Sequence, residues 1–164
     1  MAIRRPYESK QDLHSPNCNL SPITTELDEN DRLLIGGCLL SELAERYGTP
    51  LYVIDERTVR ASCRAYKDAL KRFYRGPSLP IYASKANSSL VMSNIIQSEG
   101  FGLDAVSEGE LLTGLKGGVP GERMVLHGNN KSDKELILAY NNQVTIVVDN
   151  QHDLDRLAEL IPKD

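Results

Sequence analysis

Phe101-Gly102-Leu103-Asp104-Ala105-Val106-Ser107-Glu108-Gly109-Glu110-Leu111 is the stretch that decides the fold. Residues 101–106 are mostly apolar and short enough for a strand. They run straight into Ser107-x-x-Glu110, the pattern of a capping box, in which the serine accepts the N3 amide and the N3 glutamate accepts the N-cap amide. A strand delivered directly to a helix start predicts strand 101–106 followed by helix 108–116. The same order recurs on both sides. Strand-like 79–84 leads to helical 88–98, and 124–127 leads to helix 133–140, opened by a second box, Ser132-x-x-Glu135. Residues 144–148 lead to helix 151–160, which Asn150 is placed to cap.

The four strands recur at about 20-residue spacing, one strand and one helix per unit. Such alternation predicts an α/β protein with a parallel sheet, because parallel neighbours need a crossover. Each cap follows its strand closely. The helix N-termini, with free N–H groups and positive dipole ends, therefore gather at the carboxyl edge of the sheet, where α/β folds bind ligands and anions above all. Four units are half of a (β/α)8 barrel; eight at this spacing need about 170 residues, below the ~250 usual for such barrels. The expected fold is α/β: the N-terminal portion of a (β/α)8 TIM-like barrel, four βα units behind a strand–helix segment. Its first and fourth strands would be raw edges, inclined to aggregate or to pair with another chain.

Working back toward the N-terminus, residues 31–78 form an entry segment. A strand at Arg32–Ile35 ends at Gly36-Gly37, and Ser41 is expected to cap helix 42–47, which Gly48 stops. Leu51–Ile54 is expected to be a buried strand. Asp55 then caps a long helix in which Val59, Cys63, Tyr66, Leu70 and Phe73 form one apolar stripe, closed by Gly76-Pro77. Residues 1–30 are polar and contain Pro6, Pro16 and Pro22, so a flexible lead-in is expected. The predicted organisation is thus 1–30 lead-in, 31–78 entry segment and 79–164 half barrel.

Composition excludes several classes of function. Of the 164 residues 40% are apolar and 26% charged, with a net charge of −4. These values suit a globular protein and argue against a nucleic-acid partner, which asks for a basic face. No run approaches the ~20 apolar residues needed to span a bilayer, and the N-terminus lacks a signal-peptide core. The expectation is a cytoplasmic protein without a membrane partner. Cys18, Cys38 and Cys63 are odd in number, with no C-x-x-C, which supports neither a disulfide framework nor a metal site.

Chemistry concentrates at Ile81-Tyr82-Ala83-Ser84-Lys85-Ala86-Asn87. Strand alternation would put Ile81, Ala83 and Lys85 on one face, with Lys85 at the strand's end among small neighbours. Two readings stand side by side: a lysine snorkelling into water, or a partly desolvated amine able to attack an aldehyde. Asp104 reads either as a helix-approach carboxylate or as a pocket acid. His127 reads as a structural or a ligand-facing histidine, and Glu110 as the reciprocal cap of Ser107.

Tyr82-Ala83-Ser84-Lys85-Ala86-Asn87 resembles the cofactor-lysine motif of the fold-type III pyridoxal-phosphate enzymes. Three further stretches resemble the diaminopimelate decarboxylase branch of that family, in order and spacing. They are Tyr47-Gly48-Thr49-Pro50-Leu51-Tyr52-Val53, Gly102-Leu103-Asp104-Ala105-Val106-Ser107-Glu108-Gly109-Glu110-Leu111, and His127-Gly128-Asn129-Asn130-Lys131-Ser132. The resemblance implies pyridoxal 5'-phosphate as cofactor and Lys85 as its Schiff-base lysine. It also implies that Asp104, His127 and Asn129 face the cofactor. The implied reaction converts meso-diaminopimelate to lysine and carbon dioxide, in a full-length enzyme that is a homodimer. The family's ring-stacking histidine, glycine-rich phosphate loop, pyridine-pairing acid and C-terminal β domain have no counterpart in these residues. The 164-residue chain alone is therefore expected to be inactive. Alternatives are another decarboxylase or a racemase of the same fold, a non-catalytic or regulatory cofactor-binding module, and the product of a shortened gene. Ser88-Ser89-Leu90 does not resemble the run expected after this lysine in alanine racemase.

Overall fold

A computed structural model describes residues 20–161. The chain divides after Ser62 into two compact units, and the boundary falls inside a helix, α2 (Glu56–Phe73).

The first unit is built on a three-stranded antiparallel meander: β1 (Thr25–Leu27), β2 (Leu33–Ile35) and β3 (Cys38–Leu39). Thr25 stands opposite Ile35, and Leu27 opposite Leu33. Asp28 turns the first corner, accepting the amides of Asn30 and Arg32, each at 2.9 Å, as an acid in an Asx-type turn does. Gly36 and Gly37, at φ 60° and 78°, supply the left-handed geometry of the second corner. β3 runs directly into α1 (Leu40–Tyr47), which stops at Gly48, φ 81°. Asp55 opens α2. Its carboxylate accepts the Thr58 amide at 3.2 Å, the Thr58 hydroxyl, and the Thr24 hydroxyl at 2.8 Å.

Three expectations change here. β1 lies inside the stretch read as a lead-in; three residues are too few to display a period, and pairing with β2 is what makes them a strand. Residues 1–19, including Cys18, lie outside the described residues. Helix α1 starts after Leu39, which offers no side-chain cap, rather than at Ser41. Leu51–Ile54 forms no strand and is exposed, Tyr52 to 97%. Apolar residues make a strand only where a neighbour takes up their amides and carbonyls, and none of the described strands pairs with these.

The second unit holds a parallel sheet in the order β4 (Ile81–Ala83), β5 (Gly102–Ala105), β6 (Met124–Leu126), β7 (Thr145–Ile146). The strands alternate with α3 (Leu90–Ser98), α4 (Glu108–Lys116), α5 (Asp133–Asn141) and α6 (Gln151–Leu160). Register is continuous: Ala83 pairs with Asp104, Asp104 with Val125, and Leu126 with Ile146. Alternation sends Leu103, Ala105, Met124 and Leu126 into a core shared with Leu111, Val119, Ala139 and Val144. Ile81, Ala83, Asp104 and Val125 belong to the opposite face. The caps are side chains of Ser89, Ser107, Ser132 and Asn150. Strands are shorter than the apolar runs that announced them, since backbone pairing ends before apolarity does. The predicted stripe of α2 buries Cys63, while Tyr66 and Phe73 stay exposed. Arg64 grips the buried Glu99 carboxylate at 2.9 and 3.1 Å, and Lys67 donates to the Glu99 carbonyl at 2.7 Å. Among the described residues no helix is long and apolar enough to cross a membrane. None of their His, Cys, Asp or Glu groups clusters in a way that could hold a metal ion.

Two predictions follow from this packing. A Cβ on Gly102 would lie 2.3 Å from the Arg123 carbonyl oxygen, a backbone atom of the neighbouring segment that has nowhere to retreat. Gly102→Ala should therefore destabilise the second unit by about 1–3 kcal/mol, read from denaturant unfolding. For Asp55, burial alone would raise the carboxyl, but hydrogen bonds from Thr58 and Thr24 outweigh it and hold the group below the ordinary aspartate range. A depressed native pKa means the stabilisation is complete above the unfolded value, about 3.9, and vanishes as pH falls through the native one. Asp55→Ala should cost about 0.5–2 kcal/mol at neutral pH. In thermal melts the gap from the wild-type chain should close in acid.

Candidate active site

Strand β4 ends at Ala83, and the chain tightens into a 3-10 turn, Ser84–Ala86, before Ser89 caps α3. The regular strand thus ends two residues before Lys85. The turn sends Ser84 inward, to 2% exposure, and leaves Lys85 exposed. Of the two readings the sequence left open, the exposed position of Lys85 matches an amine reaching into water.

Ser84 is the anchor of the turn. Its Oγ lies 2.7 Å from both the Asp104 carbonyl and Glu110 Oε2, so its single proton always has an acceptor in reach. Glu110 Oε2 also accepts the Val106 amide at 2.7 Å. The box expected at Ser107-x-x-Glu110 is half formed: Ser107 Oγ accepts the Glu110 amide at 3.3 Å, but the Glu110 carboxylate passes over its own cap. A buried hydroxyl within reach competes successfully for it. Glu110 thus ties the end of β4 to the β5–α4 connection.

Asp104 is the third of four residues in β5 rather than the last, flanked in register by Ala83 and Val125. His127 directly follows β6, and its amide donates to the Ala105 carbonyl at 2.8 Å. Its Nδ1 stands 4.0 Å from Asp104 Oδ2. Gly128, at φ 114°, turns the chain, and Asn129 behind it is exposed. The structure thus brings Asp104 and His127 within ion-pair range. It places Lys85 and Asn129 on loops at the same carboxyl edge, where α4, α5 and α6 begin.

The loops at this edge are bound to one another by contacts that the sequence does not announce. Glu135 completes a full capping box with Ser132 and also accepts the Glu108 amide at 2.9 Å. Burial would raise the Glu135 carboxyl, yet the hydrogen bonds from Ser132 and Glu108, with the charge of Lys131, hold it below the ordinary range. Lys131 is buried against Asp153. Ser84 was noticed only as a small neighbour of Lys85, and Lys131 only within a motif. Burial of a serine or a lysine leaves no mark in a sequence.

This arrangement fits pyridoxal phosphate. An accessible primary amine sits on an immobilised turn flanked by small residues. A carboxylate and an imidazole stand at the neighbouring strand ends.

Comparison with known proteins agrees. The profile of the family described as pyridoxal-dependent decarboxylase, pyridoxal binding domain, matches residues 56–164. The diaminopimelate decarboxylase of Synechocystis is 42% identical over 154 residues, 89% of this chain and 33% of the relative. That of Bacillus subtilis is 42% identical over 139 residues, 84% of this chain and 31% of the relative. The crystal structure of the M. jannaschii diaminopimelate decarboxylase superposes with a TM-score of 0.77 at 33% identity, covering 84% of this chain and 32% of that one. The chain therefore spans about a third of the length of the curated relatives it matches. Its βα units correspond to the N-terminal part of a TIM-barrel domain, and the chain belongs to the pyridoxal-dependent decarboxylase family.

Proposed function

We propose that Lys85 is the attachment point of pyridoxal 5'-phosphate, and that the whole protein decarboxylates meso-diaminopimelate to lysine and carbon dioxide. The observation that carries the reading is the Lys85 turn: an exposed amine whose preceding residue, Ser84, is buried and pinned at the carboxyl edge of a parallel sheet. The names of the relatives support the substrate, as does an M. jannaschii diaminopimelate decarboxylase structure in co-complex with L-lysine.

When bound, the cofactor supplies an electron sink for the pair released as carbon dioxide departs. The protein's own groups do the rest. Lys85 would hold the cofactor through its Nζ. Ser84 and Glu110 keep the base of that side chain fixed while its end stays free. Asp104 and His127 set a carboxylate and an imidazole beside each other at the ends of β5 and β6. Asn129 adds an amide that both donates and accepts. A homodimeric full-length enzyme in the cytoplasm belongs to the same proposal and is supported by the family resemblance.

Borohydride reduction of the protein incubated with pyridoxal phosphate should fix the cofactor on the peptide containing Lys85, seen as a mass shift. Lys85→Ala should abolish that label, and equal labelling of other lysines would sink the assignment. Ser84→Ala removes the donor to Glu110 and the Asp104 carbonyl. It should lower stability by about 1–3 kcal/mol and slow labelling at the intact Lys85. Thermal denaturation and the labelling time course read the two effects separately.

A further inference from the structure

Lys131 is buried to 2% side-chain exposure, a rare position for an ammonium. Its Nζ lies 2.6 Å from Asp153 Oδ2, itself 2% exposed, and 3.4 Å from Asp149 Oδ1. It also donates to the carbonyl of Gly128. Removing two opposite charges from water costs more than their attraction reliably returns, and a well-packed apolar pair would stabilise the fold as well or better. Stability alone is thus a weak reason for this ion pair. What the ammonium holds is a better one. Gly128 sits between His127 and Asn129, at a φ of 114° that side-chain-bearing residues rarely adopt. No strand pairing constrains the loop beyond the His127 amide. A loop left to that glycine samples many conformations, and the Lys131 hook three residues on removes them.

We infer that Lys131 is a positioning residue. Anchored to Asp149 and Asp153 of the β7–α6 connection, its ammonium holds the Gly128 carbonyl and so fixes His127 and Asn129 at the carboxyl edge. The importance of that placement for pyridoxal phosphate rests on the functional reading above; the fixing of the loop does not.

Lys131→Met alone strands Asp153 as an unpaired buried charge and threatens folding. The informative variant is therefore Lys131→Met/Asp153→Leu, which removes both charges and fills the site with apolar side chains. Backbone 15N relaxation on the cofactor-free 164-residue chain is the first measurement. The double variant should keep order parameters of about 0.85 in β5 and β6, as in the wild-type chain, while those of residues 128–130 fall below about 0.6. Titration with pyridoxal phosphate should show affinity weakened about tenfold. Loop order parameters equal to those of the wild-type chain would overturn the inference. Should the double variant not fold, Asp153→Asn decides instead, since it leaves Lys131 in place on a weaker anchor. Lower order parameters at 128–130 in that variant support the role, and unchanged ones refute it. If the wild-type chain takes up no cofactor at Lys85, the functional reading fails, and the relaxation comparison still decides Lys131.

Discussion

Everything at the carboxyl edge depends on carboxylates at one repeated position, the third residue after the N-cap. In α4, α5 and α6 these are Glu110, Glu135 and Asp153. Each reaches back to the preceding βα unit: Glu110 to the Ser84 turn, Glu135 to the amide of Glu108, Asp153 to the ammonium of Lys131. Physically the position suits an acid, because the first turn of a helix has unsatisfied N–H groups and a positive dipole end. A carboxylate has lone pairs enough to serve its own helix and a neighbour as well. Crossover connections bring successive helix starts to the same edge, so one local rule, applied three times, becomes a belt of contacts around the ligand side of the sheet.

That belt explains how loops can carry chemistry without losing geometry. Binding residues on loops need a rigid scaffold beneath them. Here Lys85 is exposed, while the residue before it is buried with its hydroxyl proton between two acceptors. His127 and Asn129 flank a glycine that alone would leave them loose, and a buried ammonium takes hold of that glycine's carbonyl.

The fold was legible where its causes are local. Capping residues and the strand-then-helix order rest on neighbours a few positions apart, and Ser107, Ser132 and Asn150 cap their helices as read. Legibility failed where the cause is a distant partner. Leu51–Ile54 has the apolar composition of a strand and pairs with none of the described strands. Glu110 has the sequence of a reciprocal cap and is drawn off by a hydroxyl 26 residues earlier.

The amino-acid sequence by itself determined the α/β class, the parallel βα order, the helix starts and the motifs that mark the family, since each depends on short-range periodicity, capping chemistry or residue identity. Only the tertiary structure decided which carboxylate serves which loop, that Ser84 and Lys131 are buried while Lys85 is not, and that Asp104 meets His127. Those outcomes turn on packing and on competition among hydrogen-bond partners remote in the chain, which no local pattern encodes.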